Sequence, residues 1–413
     1  MKTILTGKHI VLGVCGGIAA YKSVELLRLL QKAGADVKVI MTANAENFVG
    51  SMTFEAISGY PVFLGMYGSH ADAEMRHIAW AEAADAVVIA PATANIIAKL
   101  ACGIADDALT TFMLAATTTK ILCPSMNTHM YENRAVQRNL DTLEGDGFVI
   151  VEPGEGELAC GAVGAGRLPE PAFIACRVAE CFYPKDLKGK KVMVTAGPTR
   201  EPIDPVRFVS NPSSGKMGYA LARAAAARGA EVLLISGPTA LNCPFGVHRI
   251  DVTTAGEMAD AVFEHADVMD VIVKAAAVSD YTPSEKSPHK IKKGQDAVSI
   301  PMKKTVDILA ELGRRKTRQI LVGFAAETRD LETYAVGKLK QKNLDLIAGN
   351  LVGDASTGFC SDDNKIKLFY RDGSVEDLPV MDKDAAAHVL LDRIRDRIVS
   401  PIISPDERVQ ADG

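Results

Sequence analysis

The chain has 413 residues, of which 48% are hydrophobic and 23% are charged, and its formal net charge is −5. This length allows two domains, each with its own core. The acidic balance excludes a chain-wide attraction to nucleic acid or to an anionic membrane surface. The eight cysteines are scattered without a CxxC pair, which argues against a disulfide framework and against a structural zinc site.

The first half of the chain alternates apolar runs with helical patterns. Residues 9–14 are apolar and end in glycines, as expected of a strand buried on both faces. This run predicts a first strand rather than a signal peptide, and no apolar run reaches membrane-spanning length, so we expect a cytoplasmic protein. The full set of predicted elements is a helix at 19–34 and strands at 9–14, 36–41, 85–93, 121–124 and 147–153.

Two segments interrupt this alternation. Residues 153–171 are rich in glycine and lack a period, which predicts a lid or binding loop, with a plain linker as the alternative. Residues 182–191 combine proline, mixed charge and glycine, and predict a domain junction.

The pattern restarts after the junction, because residues 190–202 repeat the basic start, apolar strand and glycine turn of residues 8–17. A terminal hairpin with an Asp-Gly turn is predicted at 366–380. We therefore predict an α/β protein with two tandem Rossmann-like domains, 1–185 and 186–400, and a disordered tail at 401–413. The remaining predicted elements are a helix at 213–230 and strands at 231–236, 270–277, 319–327 and 345–350.

The first glycine turn, GVCGGIAAYK at 13–22, does not fit a dinucleotide site. The G-x-G-x-x-G fingerprint requires glycine where the chain has Cys15 and Ile18. An acid for the ribose diol is also missing, since the second strand ends in Thr42 and Asn44.

The same turn can still bind an anion through the backbone N–H groups of Gly16, Gly17 and Ile18 at a helix start. The third strand ends in PATAN, which places Thr93 and Asn95 nearby. This distribution favours a mononucleotide such as FMN, and the alternative is that these residues are only turn glycines and helix caps.

Several motifs of the first half occur in a familiar order: GGIAAYK, APATAN, HIA, PSMNTHMY and ACGxxGxGR. The first domain resembles the flavin-dependent phosphopantothenoylcysteine decarboxylases, which have a flavodoxin-like fold. The resemblance implies that Asn127 holds the substrate carboxylate, that His77 acts as base or orienter, and that Cys160 donates a proton. The resemblance also implies that Met126, Gly161 and Arg167 contact the substrate. Two departures are Tyr131, where tryptophan is frequent, and Cys15, where serine is frequent near the phosphate.

The implied chemistry explains the choice of an amide at position 127. A cysteinyl carboxylate can lose CO₂ only if a neighbouring group accepts the electrons that remain. FMN creates this group by oxidising the carbon that bears the thiol. An asparagine steers the carboxylate without the ground-state stabilisation that a lysine would give it.

The second domain carries basic and glycine-rich motifs. SNPSSGKMG at 210–218 is not a Walker loop, because Ser210 and Met217 stand at required positions, but it suits phosphate binding at a helix start. Six lysines lie in 286–304, where a solvated basic loop is the alternative. Lys338 and Lys342 are spaced i, i+4, and this like-charged pair suggests an anion between them, such as a triphosphate.

TAGPTREPIDPVRFVSNPSSGKMG, KAAAVSDY, KIKK and VGFAAET make the second domain similar to phosphopantothenate–cysteine ligases. Together the two domains resemble the bacterial bifunctional enzymes of coenzyme A biosynthesis. These use CTP and Mg²⁺ to form an acyl-cytidylate, from which cysteine displaces CMP. The resemblance implies that Asn211 turns over the acyl intermediate and that Arg207 binds substrate. The implied CTP contacts are Ala275, Ala276, Ala277, Asp280, Lys290, Val306, Asp307, Ile308, Leu309, Phe324, Lys338 and Lys342.

One departure affects these contacts, because Thr305 and Val306 stand where the ligases have Asn-Pro. Mg²⁺ is expected to be held mainly by phosphates and water, and no protein ligand is predicted for it. The resemblance also implies a homo-oligomer, a dodecamer of decarboxylase trimers and ligase dimers, acting on small molecules. One alternative is a two-domain NAD(P)-dependent oxidoreductase, which Cys15, Ile18 and the missing acid after the second strand contradict. The other is a non-catalytic regulatory flavoprotein, which would lack the asparagine, histidine or cysteine that are all present here.

Overall fold

The computed structural model describes residues 4–66, 76–157, 163–292, 299–327, 331–351 and 363–399. The chain divides into two compact units, Met1–Tyr183 and Pro184–Gly413. The predicted tail at 401–413 lies outside the described residues.

The first unit has seven strands and eight helices within the described residues. The strands are β1 (His9–Val14), β2 (Asp36–Met41), β3 (Ala86–Ala92), β4 (Thr119–Pro124), β5 (Val149–Ile150), β6 (Gly154–Glu157) and β7 (Val163–Arg167). The helices are α1 (Ala20–Lys32), α2 (Ser51–Ser58), α3 (Arg76–Ala83), α4 (Ala94–Ala101), α5 (Ala108–Ala115), α6 (Thr128–Tyr131), α7 (Arg134–Gly145) and α8 (Pro171–Glu180).

The central sheet of this unit is parallel, with the order β2-β1-β3-β4-β5. Its strands read as apolar runs because both faces are covered: Leu12 belongs to the cluster under α1 and α8, and Val11 belongs to the cluster under α4, α5 and α7. The chain reverses direction across the sheet between β1 and β3, and such a switch point opens a crevice at the carboxyl ends of the strands.

The second unit has a larger sheet. Its strands are β8 (Lys191–Ala196), β9 (Arg200–Pro202), β10 (Phe208–Ser210), β11 (Glu231–Ser236), β12 (Val247–Asp251), β13 (Val271–Lys274), β14 (Tyr281–Pro283), β15 (Met302–Lys304), β16 (Ile320–Glu327), β17 (Leu346–Leu351), β18 (Asp363–Asn364), β19 (Ile366–Tyr370), β20 (Val375–Asp377) and β21 (Met381–Asp382). Its helices are α9 (Lys216–Ala227), α10 (Ala255–His265), α11 (Ile308–Arg315), α12 (Leu331–Gln341) and α13 (Lys383–Val399).

The strand order in this sheet is β12-β11-β8-β13-β16-β17-β19-β20. The six strands from β12 to β17 are parallel, and β19 and β20 add an antiparallel edge. The switch point lies between β8 and β13, so the crevice of this unit is expected at their carboxyl ends.

The predicted fold class of two tandem Rossmann-like α/β domains is confirmed. The strands predicted at 36–41 and 231–236 have those bounds in the structure, and the terminal hairpin is β19–β20 with its Asp-Gly turn. The glycine-rich segment at 153–171 is not free of secondary structure, because β6 and β7 pair as an antiparallel hairpin. The fifth strand is only two residues long, and α13 and β12 were not predicted.

Candidate functional site

The crevice at the switch point of the first unit is a cavity of about 1150 Å³. The turn after β1, the start of the 3₁₀ turn after β2, the start of α4 and the segment after β4 form its walls. All seven predicted flavin contacts line it: Gly16, Gly17, Ile18, Thr42, Asn44, Thr93 and Asn95.

The two glycines of the turn after β1 differ in how tightly they are packed. A Cβ on Gly16 would lie 2.5 Å from Cβ of Asn44 and 2.7 Å from its carbonyl oxygen, which is inside van der Waals contact. A Cβ on Gly17 would meet only the Thr93 methyl group, at 3.8 Å. Gly16 therefore lets the turn approach the segment after β2, and this close approach shapes the wall of the cavity.

Two threonines give the crevice hydroxyl groups with different surroundings. Thr93 caps α4, since its Oγ1 accepts a hydrogen bond from the Ile96 N–H at 3.4 Å. Thr42 Oγ1 is buried and has no hydrogen-bond partner among the described residues. A buried hydroxyl without a partner is costly, so its position on the cavity wall fits a ligand that supplies the partner.

Cys15 lies on the same wall and is buried. Burial raises the pKa of its thiol to about 12, although a backbone hydrogen bond at Thr93 opposes the rise. The thiol therefore stays neutral near pH 7 and does not repel a phosphate.

The segment after β4 is held against the β6–β7 hairpin. The Met126 N–H donates to the Gly166 carbonyl at 2.9 Å, and a Cβ on Gly166 would lie 2.2 Å from the Met126 carbonyl oxygen. Asn127 follows and caps α6, because its Oδ1 accepts from the His129 N–H at 2.9 Å. Met126, Asn127 and Arg167, the predicted substrate contacts of this segment and of β7, all line the cavity.

Charged residues that were not predicted also line this cavity. Lys22 is buried and its Nζ lies 3.0 Å from Glu170, while Lys99 Nζ lies 2.7 Å from Asp106. Asp107, also on the wall, caps α5. Lys22 is the last residue of the GGIAAYK motif, so its position in that motif could have indicated that it lies at the cavity. Lys99 lies on α4, and the way this helix turns places Lys99 on the cavity wall. No motif in the sequence indicated this position.

Three other predicted residues of this unit are not part of the described cavity wall. His77 lies on α3 and does not line the cavity, and its Nδ1 is buried without a hydrogen-bond partner among the described residues. Cys160 and Gly161 lie outside the described residues.

In the second unit, the carboxyl ends of β8 and β13 are linked by hydrogen bonds. The Ser279 N–H donates to Thr199 Oγ1 at 3.0 Å, and Asn211 Nδ2 donates to the Ala277 carbonyl at 3.1 Å. Asn211 is thereby placed beside the predicted nucleotide segment 275–277. Ser279 Oγ is buried without a hydrogen-bond partner among the described residues.

The TVDIL loop is attached to this segment despite the missing Asn-Pro. Thr305 Oγ1 donates to the Ser279 carbonyl at 2.7 Å, and the Thr305 N–H donates to the Asp280 carbonyl at 2.9 Å. Val306 is 53% exposed, and Ile308 anchors the loop in the core. The threonine hydroxyl thus ties the loop to the segment after β13.

Asp307 and Lys342 form an ion pair at 2.7 Å. Asp307 also caps α11, accepting from the Ala310 N–H at 3.0 Å. Lys342 lies one turn beyond Lys338, as the i, i+4 spacing predicted, and its N–H donates to the Lys338 carbonyl. The anion beside Lys342 in the structure is therefore the Asp307 carboxylate. The sequence analysis suggested a triphosphate beside this lysine pair and did not predict the ion pair with Asp307.

Arg207 is fixed by the buried carboxylate of Asp204. Arg207 Nε donates to Asp204 at 2.9 Å, and an Arg207 Nη group donates to the Ile291 carbonyl at 2.9 Å. The hydrogen bonds from Arg207 hold the pKa of Asp204 well below its usual range. Arg207 is thus linked to the KIKK segment, in which Lys290 is exposed.

Phe324 is the predicted nucleotide contact that lies apart from this loop. It is partly buried and packs with Ala275 against the core under α9 and α13, whereas Ile308 and Leu309 belong to the cluster on the other face of the sheet.

A parallel α/β sheet with a large crevice at its switch point, a glycine turn and hydroxyl and amide groups on the walls defines a flavin- or nucleotide-binding protein. Comparison with known families agrees. A flavoprotein family matches residues 1–181, and the family of the DNA/pantothenate metabolism flavoprotein C-terminal domain matches residues 187–398.

The chain is similar along most of its length to curated proteins. It is 48% identical over 396 residues to the coenzyme A biosynthesis bifunctional protein CoaBC of Bacillus subtilis, covering 95% of this chain and 97% of that protein. It is 46% identical over 395 residues to the CoaBC protein of Escherichia coli, covering 94% and 97%. The chain belongs to this family of bifunctional coenzyme A biosynthesis proteins, so the predicted resemblance is confirmed.

Among solved structures, the C-terminal domain of a CoaBC protein matches 52% of this chain and 98% of its own chain, with 43% identity and a TM-score of 0.45. Within the described residues, no helix is long and apolar enough to cross a membrane. The same residues contain no group of three or more His, Cys, Asp or Glu that could hold a metal ion.

Proposed function

We propose that the protein joins L-cysteine to 4′-phosphopantothenate and then decarboxylates the product to 4′-phosphopantetheine. Residues 1–185 carry out the decarboxylation and residues 186–400 the ligation. The observation that carries the proposal is the crevice of the first unit, which is lined by all seven predicted flavin contacts in a chain related along 95% of its length to a bifunctional protein. This relationship favours the bifunctional enzyme over an NAD(P)-dependent oxidoreductase and over a non-catalytic flavoprotein.

FMN fits the crevice of the first unit. The backbone N–H groups of Gly16, Gly17 and Ile18 would bind its phosphate. The buried Thr42 hydroxyl, which has no hydrogen-bond partner among the described residues, could form a hydrogen bond with the flavin from the same wall. When bound, the flavin would oxidise the carbon that bears the substrate thiol and return the electrons after CO₂ has left.

Asn127 positions the substrate carboxylate in this site. Because its Oδ1 accepts from the His129 N–H, the side chain offers its NH₂ group as a donor. A neutral donor orients the carboxylate without the ion pair that would stabilise the ground state. Met126 and Arg167 line the same wall and contact the substrate, and Arg167 is paired with Glu170 at 3.3 Å.

Cys160 donates the proton that replaces CO₂, Gly161 contacts the substrate, and His77 acts as base or orienter. This part of the proposal rests on the ACGxxGxGR and HIA motifs.

In the second unit, the carboxylate of 4′-phosphopantothenate attacks the α-phosphate of CTP, and pyrophosphate leaves with Mg²⁺. The amine of cysteine then displaces CMP. Asn211 acts at the acyl intermediate and Arg207 binds substrate. CTP contacts the segment Ala275–Ala277, Asp280, Lys290, the loop Val306–Leu309, Phe324, Lys338 and Lys342. The hydrogen bonds of Asn211 to the Ala277 carbonyl and of Thr305 to the Ser279 carbonyl support a single crevice for these groups.

The active protein is a homo-oligomer, a dodecamer of decarboxylase trimers and ligase dimers. Ile18 and Tyr21 support contacts between copies at the first crevice, because they line it and are 63% and 60% exposed in the single chain.

Two substitutions separate the activities. Cys160→Ser should release CMP at the normal rate from 4′-phosphopantothenate, cysteine and CTP, but should form little 4′-phosphopantetheine. Asn211→Asp should decarboxylate supplied 4′-phosphopantothenoylcysteine normally, but should not form the amide. Unchanged phosphopantetheine output from the first variant, or full-rate ligation by the second, would refute the assigned roles.

A further inference from the structure

Lys274 is a buried lysine at the carboxyl end of β13. The residue is only 9% exposed, and its Nζ makes a weak contact with the Met258 sulfur at 3.9 Å. No carboxylate or carbonyl oxygen within the described residues accepts a hydrogen bond from this ammonium group. A buried ammonium without an oxygen partner is unfavourable, so the side chain tends to lose its proton.

The charges that act on Lys274 come from one loop and one helix end. Asp307, at the start of α11, favours its charged form, and Lys342, just after α12, disfavours it. The adjacent strands place uncharged Thr195 and Gly323 beside Lys274, and α10 presents uncharged Met258. Burial is the largest effect and lowers the pKa of Lys274 to about 7, so near neutral pH its charge responds to small changes in the surrounding field.

Asp307 is shared between the two lysines. Its carboxylate pairs with Lys342 at 2.7 Å, and the charge of Lys274 also acts to lower the pKa of this carboxylate. In the structure, Lys342 already pairs with Asp307, and the attraction of Asp307 for a charged Lys274 is outweighed by the effect of burial.

Binding of a triphosphate would change this balance. Lys342 is one of its proposed ligands, and a lysine drawn toward the triphosphate leaves Asp307. The unpaired carboxylate would then face a polyanion in a partly buried site, where like charges repel strongly. The start of α11, which Asp307 caps, would be pushed away from the nucleotide.

We propose that Lys274 is a positioning residue of the nucleotide site: as the triphosphate draws Lys342 away from Asp307, Lys274 takes up a proton from solvent and holds the Asp307 carboxylate in place. This inference rests on the proposed CTP site and adds a protonation step to it. The proton moves from the solvent to Lys274 Nζ, and no covalent bond is involved. CTP binding then consumes protons above about pH 7.

Calorimetry of CTP binding to the full chain tests this directly. Titrations with Mg²⁺ near pH 8, in two buffers of different ionisation enthalpy, give the number of protons taken up. Lys274→Met replaces the lysine with an apolar side chain of similar length and should lower proton uptake by up to about one proton per site. Lys340→Met removes an exposed lysine from α12 and should match the wild type.

Proton uptake that is equal in Lys274→Met and the wild type would overturn the inference while leaving the CTP site intact. If the wild type binds no CTP, the proposed function and this inference fail together, so the two failures are distinguishable.

A second measurement is the pH dependence of the KM for CTP, which would not change if Lys274 had a purely structural role. The KM for CTP in the wild type should rise with pH above about 7, by at most tenfold per pH unit. In Lys274→Met it should be higher at pH 7 and nearly flat over the same range, and decarboxylation of supplied 4′-phosphopantothenoylcysteine should be unchanged. A parallel rise in both proteins would contradict the proposal.

Discussion

At Asn127, different atoms of one side chain serve the fold and the substrate. Oδ1 accepts the His129 N–H and caps α6, while the NH₂ group is proposed to bind a carboxylate. Asn127→Asp keeps the capping acceptor, removes the NH₂ donor and adds a charge that repels the substrate. We expect CO₂ release to fall by about 10²-fold or more, with flavin content and CMP formation unchanged.

A matched control for this change is Asn133→Asp, because Asn133 caps α7 in the same way through the Ala135 N–H at 2.9 Å and does not line the cavity. It should decarboxylate like the wild type. Near-normal CO₂ release by Asn127→Asp would remove the carboxylate-binding role.

Gly16 and Gly17 offer a second paired test at the residue scale. In Gly16→Ala the new methyl group would clash with Asn44 at 2.5 Å, whereas in Gly17→Ala its nearest neighbour would lie at 3.8 Å. Since the first clash displaces the wall of the flavin crevice, we expect Gly16→Ala to lose most of its bound flavin and Gly17→Ala to retain it. The ratio of flavin to protein absorbance measures the difference, and equal retention would argue against this wall as the binding surface.

At the scale of elements, the loop from β9 to β10 is organised by Asp204. This buried carboxylate accepts hydrogen bonds from the Val206, Arg207 and Ile291 N–H groups and from the Arg207 side chain. Asp204→Asn should therefore release both Arg207 and the KIKK segment. We expect ligation to fall strongly while decarboxylation is unchanged. Asp251→Asn, at a carboxylate that is 68% exposed, is the control, and normal ligation by Asp204→Asn would contradict this organisation.

The same carboxylate predicts a pH dependence of stability. The pKa of Asp204 is lower in the folded protein than its usual value, because Arg207 stabilises the charged form. Its stabilising contribution is therefore present above about pH 4 and is lost as the pH falls through the lowered pKa. The difference in unfolding midpoint between the wild type and Asp204→Asn should be constant from about pH 5 to 8 and should shrink in more acidic solution. A difference that grows on acidification would show that another group dominates.

The elements predicted from sequence were those with strong local signals. Residues 36–41 and 231–236 are apolar runs with clear boundaries, and both are strands with those bounds. The β6–β7 hairpin was missed because its strands are mostly glycine, alanine and charged residues, without an apolar alternation to mark them. The hairpin is also held to a segment far away in sequence, since the Met126 N–H donates to the Gly166 carbonyl.

For the site residues too, local sequence motifs were predictable and contacts between distant segments were not. Gly16, Thr42 and Asn127 lie in motifs at strand ends, so the sequence indicated them, and all three line the first cavity. Lys99 was missed because its place depends on how α4 packs. The pairing of Asp307 with Lys342, 35 positions apart, depends on the ends of two helices meeting, which the pattern does not encode.

At the scale of the whole molecule, two consecutive reactions are proposed for two α/β units of similar design. In both units the candidate site lies at the carboxyl ends of parallel strands beside a switch point, but the walls differ. The first has a deep crevice with a neutral glycine turn and hydroxyl groups. The second has an ion pair, a buried lysine and an arginine fixed by a carboxylate, which suits a polyanionic nucleotide. This difference in chemistry supports the division into a flavin unit and a nucleotide unit.

The most direct test follows both reactions in one tube. The purified full chain is incubated with 4′-phosphopantothenate, L-cysteine, Mg²⁺ and CTP, and CMP, CO₂ and 4′-phosphopantetheine are measured over time. We expect a yellow protein that forms the three products in equal amounts, with CMP appearing first. A colourless protein that releases neither CMP nor CO₂ from this mixture would contradict it.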